Sequence, residues 1–289
     1  MLQQFIRNWL LNVARQRAAE AVRARGPAGA TTDADAAKAR QPLKPDRCDV
    51  GLVFALGMEA SGLAQRMSGV IRISGAGFVG REGGIEGRRV VAIEAGAGRK
   101  AAEHGARALI AGHRPKWIIS AGFAGGLDPR LELGDIVMAS AVADLEGREL
   151  EIDINVDAQA LAETPRLHIG RLITVDGVIR EAKEKKRLGA ERQAIAVDME
   201  SMAVADVCRQ EKVRFMVVRV ISDSVARELP RDIDYLVKRR TTAGRLGAAA
   251  RAVLRRPSSV KDMWQLKEDA LRASNRLGSF LVGVIGQLE

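Results

Sequence analysis

The residues best suited to chemistry in this sequence are three carboxylates in one stretch, 196–224. Asp198 and Glu200 flank a methionine near its start, and Asp223 follows an apolar, β-branched run at its end. Such a run predicts a buried strand, and ligands in α/β proteins bind where strands end. The carboxylates could therefore belong to a ligand site. A surface turn would suit Asp223 equally well, because Ser and Asp are common turn residues.

Strand-like and helical patterns alternate around these acids. The runs at 50–56, 115–121 and 215–221 are apolar and β-branched, and turns or helical stretches separate them. This alternation predicts an α/β domain with a central, mixed, twisted sheet flanked by helices. We expect further strands at 70–78, 88–94, 136–143 and 168–175, and turns at Gly83, Gly84 and Gly87. We expect helices at 59–67, 101–111, 241–255 and 261–288, and a helical stretch that contains Met202, Val204, Ala205 and Val207. An apolar stripe on the last helix should pack against the sheet (Leu277, Phe280, Leu281, Val284, Ile285, Leu288).

The overall composition narrows the class of protein. Hydrophobic residues make up 47% of the 289 residues and aromatic residues only 3%, so we expect a largely aliphatic core. The formal net charge of +10 comes mostly from the two ends of the chain, and no nucleic-acid motif lies between them. We therefore expect no nucleic-acid partner. Two distant cysteines (Cys48, Cys208) and three scattered histidines predict neither a disulfide framework nor a metal site, and indicate a cytoplasmic protein.

The first 48 residues predict two appendages. Residues 1–25 combine apolar positions at helical spacing with several arginines, which indicates an amphipathic basic helix. Such a helix could contact a membrane surface, or it could dock on the domain or on a second subunit. Residues 26–48 resemble a linker, and we expect the folded domain to be 49–289. We find no apolar run of about 18 residues, the length that a membrane-spanning helix requires.

Two glycine clusters follow predicted strands, at 96–100 (GAGRK) and 122–126 (GFAGG). Glycine lets a backbone approach a ligand closely and leaves its amide groups accessible. Neither cluster has the spacing of a nucleotide-phosphate loop or of the dinucleotide GxGxxG pattern. Each cluster therefore suits a binding loop and a tight turn equally well.

Four stretches together resemble the purine and uridine phosphorylase superfamily, and most closely its methylthioadenosine/S-adenosylhomocysteine nucleosidase branch. They are Gly51–Glu59, Ala95–Gly126, Ala196–Glu200 (AVDME) and Val217–Asp223 (VVRVISD). They occur in the order that the family has, across roughly residues 49–235. The resemblance implies the nucleoside-phosphorylase-type fold, a homodimer, a small-molecule nucleoside substrate, and no metal or organic cofactor.

The resemblance also implies a role for each site residue. Asp223 would be the general acid that protonates N7 of adenine, Glu59 would activate the attacking water, and Glu200 would accept hydrogen bonds from the ribose hydroxyls. Arg219 would orient the water or neutralise excess carboxylate charge; a buried salt bridge with one of the acids is the alternative. The remaining substrate contacts would come from Met199 against the sugar, from Asp198 beside it, from Ser222 holding Asp223, and from Phe123, Ala124, Gly125, Val178 and Ile179 around the base.

The sequence departs from the family's pattern in ways that bear on the reaction. Ser120 and Phe123 stand where many phosphorylase relatives carry a phosphate-binding arginine and serine, and the first turn lacks the GDPxR-like phosphate loop. We therefore expect water, rather than phosphate, as the nucleophile. Val178 replaces the usual aromatic residue that stacks on the base. Asp198 replaces a common glutamate, a change we expect to be tolerated.

Other functions remain open at this stage. The VDMES sequence and the basic C-terminal region are also similar to nucleosidase-like proteins of hopanoid lipid synthesis, which remove adenine from adenosylhopane. A phosphate-dependent purine nucleoside phosphorylase is a second alternative, and a non-catalytic nucleoside-binding module is a third. The presence of both Glu59 and Asp223 argues against the third, because binding alone would not need an acid and a base. Contact between residues 1–25 and lipid would make the cytoplasmic protein membrane-associated.

Overall fold

The computed structural model describes residues 47–75, 78–153, 164, 166–230 and 259–288, with side chains of the last segment from residue 267. The strands in these ranges are β1 Val50–Phe54, β2 Ser68–Gly75, β3 Phe78–Ile85, β4 Arg88–Glu94, β5 Trp117–Gly126, β6 Ile136–Asp144, β7 Glu149–Glu151, β8 Leu167–Thr174, β9 Ala196–Asp198 and β10 Arg214–Asp223. The helices are α1 Gly57–Ala64, α2 Arg99–His113, α3 Ala182–Arg192, α4 Ser201–Gln210 and α5 Ser259–Gln287.

The described strands form one mixed sheet, as the sequence predicts. Its order is β10-β6-β8-β9-β5-β1-β4-β3-β2, with β7 paired to β6. β10 also pairs with β5, so the five strands from β10 to β5 close into a ring. β4, β1, β5 and β10 run parallel to one another. Their carboxyl ends therefore lie at the same edge of the sheet, which is where a parallel sheet binds ligands.

The core is aliphatic and continuous across the sheet. Every residue of β1 is buried, which is typical of a parallel strand covered on both faces. Leu52, Phe54, Ile118 and Ile119 are fully buried in the same cluster. Complete burial of such a side chain stabilises the fold by about 1.5–3 kcal/mol. These strands therefore hold the residues that follow them in fixed positions.

Two glycine-rich segments are strands: the turn predicted at Gly83 and Gly84 is wrong, whereas the turn predicted at Gly87 is present. Gly83 and Gly84 lie inside β3, and the chain reverses at Glu86 and Gly87, both of which have positive φ. A Cβ atom at Gly83 would lie 2.6 Å from the Ser68 carbonyl oxygen, so glycine is needed there for close strand packing. The 122–126 cluster likewise belongs to β5. Periodicity could not reveal this, because glycine contributes no side chain to an alternating pattern.

The C-terminal helix packs mainly against α1, with further contacts on β10, so its predicted packing on the sheet is only partly right. Leu277, Leu281 and Ile285 are fully buried. At the crossing, a Cβ on Gly62 would lie 2.0 Å from the Ser274 carbonyl oxygen, and the Gly62 amide donates to Ser274 Oγ over 2.9 Å. This close approach fixes the helix that follows β1.

Several predictions fall outside the described residues. They are the N-terminal helix at 1–25, nearly all of the linker, and the helix at 241–255. Within the described part of the chain, no helix combines the length and the apolar character needed to span a bilayer.

Candidate active site

Glu59 lies in the first turn of α1, directly after β1, and is 5% exposed. Its Oε2 accepts hydrogen bonds from the amides of Ala55 (2.9 Å) and Leu56 (2.8 Å), and its Oε1 accepts one from the Phe123 amide (2.9 Å). Burial raises the pKa of Glu59 above 4.5, although the three amides and the Arg219 charge oppose the rise. The carboxylate is therefore fixed in orientation and takes up a proton more readily than an exposed glutamate.

Arg219 and Asp198 form a buried ion pair. Arg219 is 2% exposed, and its Nε donates to Asp198 Oδ2 over 2.7 Å. Its Nη2 also donates to Ser120 Oγ and to Ser201 Oγ, each over 2.9 Å. Asp198 further accepts a hydrogen bond from Thr174 Oγ1 over 2.8 Å. Arg219 therefore forms a buried salt bridge with one of the acids, which is the second of the two roles considered for it from the sequence.

The predicted contact of Asp198 with substrate stays a prediction, and the structure shows Asp198 bound to groups of the protein itself. Both of its carboxylate oxygens accept hydrogen bonds from residues of the protein interior, including the amide and hydroxyl of Ser201. The physical reason is that an unpaired buried arginine would be very costly, so Asp198 turns toward Arg219. The Nη1 group of Arg219 lies beside Glu59. Both Nη1 and Glu59 Oε1 lie within 3 Å of the position that a Cβ atom on Gly122 would occupy.

Glu200 separates from Asp198 and points to a different part of the fold. It lies at the start of α4, is half-buried, and its Oε1 accepts a hydrogen bond from the Gly98 amide over 2.7 Å. Gly98 has φ +93°, a conformation that glycine adopts without strain. Burial, followed by the negative charges of Asp198 and Glu59, raises the pKa of Glu200 to about 8, against the opposing charge of Arg219.

This raised pKa predicts a pH-dependent cost in stability. Between about pH 4.5 and 8 the folded state binds more protons than the unfolded state, so the free energy of unfolding falls as pH rises through that window. Glu200→Gln removes the cost. We expect the substitution to raise the free energy of unfolding at pH 8.5 by on the order of 2 kcal/mol more than it does at pH 4.5. One pKa unit is worth about 1.4 kcal/mol, and the partial exposure of Glu200 reduces the effect.

Urea denaturation of both proteins at the two pH values measures this difference. Glu191→Gln, on the exposed face of α3, is the matched control and should show no such change. A stability difference between Glu200→Gln and the wild type that is the same at pH 4.5 and 8.5 would contradict the prediction.

Asp223 ends β10, where the pairing with β5 shifts register between Ile221 and Asp223. Such a bulge redirects side chains, and here it places the carboxyl against Gly125, whose Cβ would lie 3.3 Å from Asp223 Oδ2. Ser222 Oγ donates to Asp223 Oδ1 over 2.7 Å. Asp223 is 5% exposed. The carboxyl is therefore buried and held at a defined angle.

Lys185 is a further residue of the site, and the sequence did not predict it. This side chain from α3 is fully buried, and its Nζ lies 2.5 Å from Asp223 Oδ2. It also donates to the carbonyl oxygens of Ser224 (3.1 Å) and Arg227 (2.8 Å). The charged run KEKKR suggests a solvated helix face. The only available signal was that Lys185 precedes the buried Leu188 by three residues, which places both on one face.

The predicted base-pocket residues lie on two elements. Phe123, Ala124 and Gly125 belong to β5 and therefore run from the Glu59 contact to the Asp223 contact. Val178 and Ile179 lie between β8 and α3 and are half-buried, as is Met199. Ile179 packs against the cluster that contains Leu188. In the described part of the chain, no three His, Cys, Asp or Glu residues are arranged to hold a metal ion.

Comparisons with known proteins agree with this architecture. The sequence model of the phosphorylase superfamily matches residues 49–255. The 5′-methylthioadenosine/S-adenosylhomocysteine nucleosidase of Shewanella loihica (strain ATCC BAA-1088 / PV-4) is 29% identical over 212 residues, which cover 65% of this chain and 92% of the relative.

Solved structures show the same fold. The methylthioadenosine/S-adenosylhomocysteine nucleosidase of Streptococcus pneumoniae, in complex with 8-aminoadenine, superposes with a TM-score of 0.64 at 19% identity, over 83% of this chain and 100% of that one. The enzyme of Colwellia psychrerythraea 34H, in complex with adenine, gives 0.63 at 22% identity, over 84% and 96%. Because the family model spans most of the sequence and the sheet carries its acids at one edge, the chain belongs to the phosphorylase superfamily.

Proposed function

We propose that this protein is a nucleosidase that hydrolyses the N-glycosidic bond of a 5′-modified adenosine and releases adenine. One observation carries the proposal: two buried carboxyl groups, Glu59 and Asp223, contact the same strand two residues apart. Glu59 accepts a hydrogen bond from the Phe123 amide, and Asp223 lies against Gly125. A base and an acid on either side of a short backbone segment suit the cleavage of a small substrate bound across it.

The reaction divides between these two groups. Asp223 donates a proton to N7 of the base as the electron pair of the C1′–N9 bond moves into the purine. The sugar develops oxocarbenium character, and a water molecule attacks C1′ while Glu59 accepts the proton of that water. The raised pKa of Glu59 suits this task, because a carboxylate with a higher pKa accepts a proton more readily. Glu200 would accept hydrogen bonds from the ribose hydroxyls.

The charge distribution favours water over phosphate as the nucleophile. Arg219, the cation closest to Glu59 among the described residues of the site, is neutralised by Asp198 and hydrogen-bonded to Ser120. A phosphate anion beside C1′ would therefore face the Glu59 carboxylate, while the positive charge of Arg219 is already matched by Asp198. Water carries no charge and meets no such repulsion. The relatives named above are nucleosidases, which supports the same choice.

The assembly and location are proposals of the same kind. A homodimer follows from the resemblance to the nucleosidases, and a cytoplasmic location follows from the reduced, buried cysteines Cys48 and Cys208. Contact with a membrane surface would come from residues 1–25. If those residues bind lipid, the 5′ substituent could be a lipid such as the hopanoid of adenosylhopane.

Release of the free base from methylthioadenosine, S-adenosylhomocysteine, adenosine, inosine and adenosylhopane, with and without phosphate, tests the proposal; the base is adenine for all of these except inosine, which would release hypoxanthine. We expect release from at least one 5′-thioadenosine at a rate that phosphate does not change, with free sugar as the second product. Release that needs phosphate and yields a sugar 1-phosphate would make the protein a phosphorylase. Release from adenosylhopane alone would identify the lipid-linked substrate. Absence of release from all of these, in a protein that binds adenine, would indicate a binding module.

A further inference from the structure

A general acid must give a proton away, yet Asp223 lies against a fully buried ammonium group in this structure. Its Oδ1 accepts the hydrogen bond from Ser222, and its Oδ2 accepts the one from Lys185. Ser222 Oγ also lies 3.3 Å from the Ala124 carbonyl oxygen, so among the described residues Lys185 is the full positive charge that contacts the Asp223 carboxyl. Ser222 is a neutral hydroxyl, so of these two donors only Lys185 can lose a proton at moderate cost.

We infer that Lys185 is the positioning residue and proton source for Asp223; the inference rests on the proposed function. In this step an Nζ–H bond of Lys185 breaks as the proton passes to the Asp223 carboxyl, and the carboxyl passes a proton to N7 of the purine as the C1′–N9 bond breaks. Lys185 is left as a neutral amine and Asp223 as a carboxylate. One proton taken from solvent after adenine leaves restores the ammonium, and Glu59 returns to solvent the proton it took from water.

The surroundings of Lys185 suit this task. Its remaining two contacts are carbonyl oxygens, of Ser224 and Arg227, which hold the nitrogen in place but add no full negative charge.

The other charged groups near the pair are matched elsewhere. The Arg227 side chain pairs with Asp269 of α5 over 2.7 Å, and Asp198 of β9 pairs with Arg219 of β10. β5 presents Gly125 to the carboxyl. Glu59 and Glu200 are the remaining acids of the site, and each has its own backbone donors. Lys185 is therefore the cation that forms the ion pair with Asp223.

Two substitutions distinguish a Lys185 that supplies a proton from a Lys185 that only contributes a positive charge. Lys185→Met fills the same space without a proton to give. Lys185→Arg keeps the positive charge and the donors, but a guanidinium does not lose its proton in proteins. If Lys185 supplies the proton, both variants lose activity at neutral pH. If Lys185 only holds the carboxyl by charge, Lys185→Arg retains activity.

The experiment is the pH profile of kcat/KM for adenine release by the wild type, by both variants and by Lys186→Met, an exposed neighbour on α3 that should match the wild type. We expect Lys185→Met and Lys185→Arg to lose about 100-fold or more at pH 7.5, the contribution of a general acid. Lys185→Met should recover activity toward low pH, where solvent protonates Asp223, so its alkaline limb should move down by about one pH unit or more.

Three results would overturn the inference while leaving the proposed function intact. They are a Lys185→Met profile that coincides with the wild type after correction for the folded fraction, an alkaline limb that moves up instead of down, and near-normal activity of Lys185→Arg. Thermal unfolding of each variant supplies the folded fraction. A wild-type protein that neither releases nor binds adenine would overturn the proposed function and this inference together.

Discussion

Replacement of Asp223 by asparagine is expected to lower kcat for adenine release by about 1,000-fold or more, within the range that general acids contribute. Asparagine has the shape of aspartate and can still donate a hydrogen bond to N7, but its amide cannot transfer a proton. Affinity for adenine should also fall, because the carboxyl lies at the end of the base pocket, against Gly125. Steady-state kinetics and adenine titration measure the two effects separately.

The same substitution should also cost stability, because Lys185 would stay buried without its carboxylate. Breaking a buried ion pair from one side costs about 3–5 kcal/mol. The double variant Asp223→Asn/Lys185→Met removes both charges and is expected to regain most of that loss while remaining inactive. This control separates lost chemistry from lost folding. A well-folded Asp223→Asn protein with the kcat of the wild type would exclude Asp223 as the acid.

The sheet was predictable because its determinants are local. β1, β10 and the first half of β5 carry runs of apolar residues, many of them β-branched, and that pattern identifies buried strands. The position of Asp223 followed directly, as the last residue of such a run. The same pattern does not identify the glycine-rich strands. Gly83 is required because the Ser68 backbone approaches it closely, and this tertiary contact cannot be predicted from the local sequence.

The partners of the acids were not predictable for a related reason. Asp198 and Glu200 would share one face of a strand, but β9 ends at Asp198 and α4 begins at Ser201, so the two carboxylates diverge. One turns inward to Arg219 and the other accepts from Gly98. Lys185 meets Asp223 across 38 residues. Only the packing of α3 on the closed strands creates that contact, and a charged run gives no sign of which lysine is buried.

Glu59→Gln is expected to lower kcat by about 100-fold or more, because glutamine cannot accept the proton of the attacking water. Adenine affinity should change little, since Glu59 serves the water and not the base. The wild-type kcat/KM profile should also show an acidic limb with its midpoint above pH 4.5, the direction in which burial moves the pKa of Glu59. Below that midpoint the base is already protonated, so activity falls as pH falls.

The three backbone amides that hold Glu59 make glutamine an imperfect replacement and supply a check on the result. Both carboxylate oxygens accept from amide groups, so the NH2 of glutamine must face at least one N–H donor. An unsatisfied buried donor costs about 1–3 kcal/mol, and kcat must therefore be corrected for the folded fraction. We expect Asp223→Asn, but not Glu59→Gln, to weaken adenine binding. A Glu59→Gln variant that loses adenine affinity, or that keeps most of its corrected kcat, would exclude Glu59 as the base.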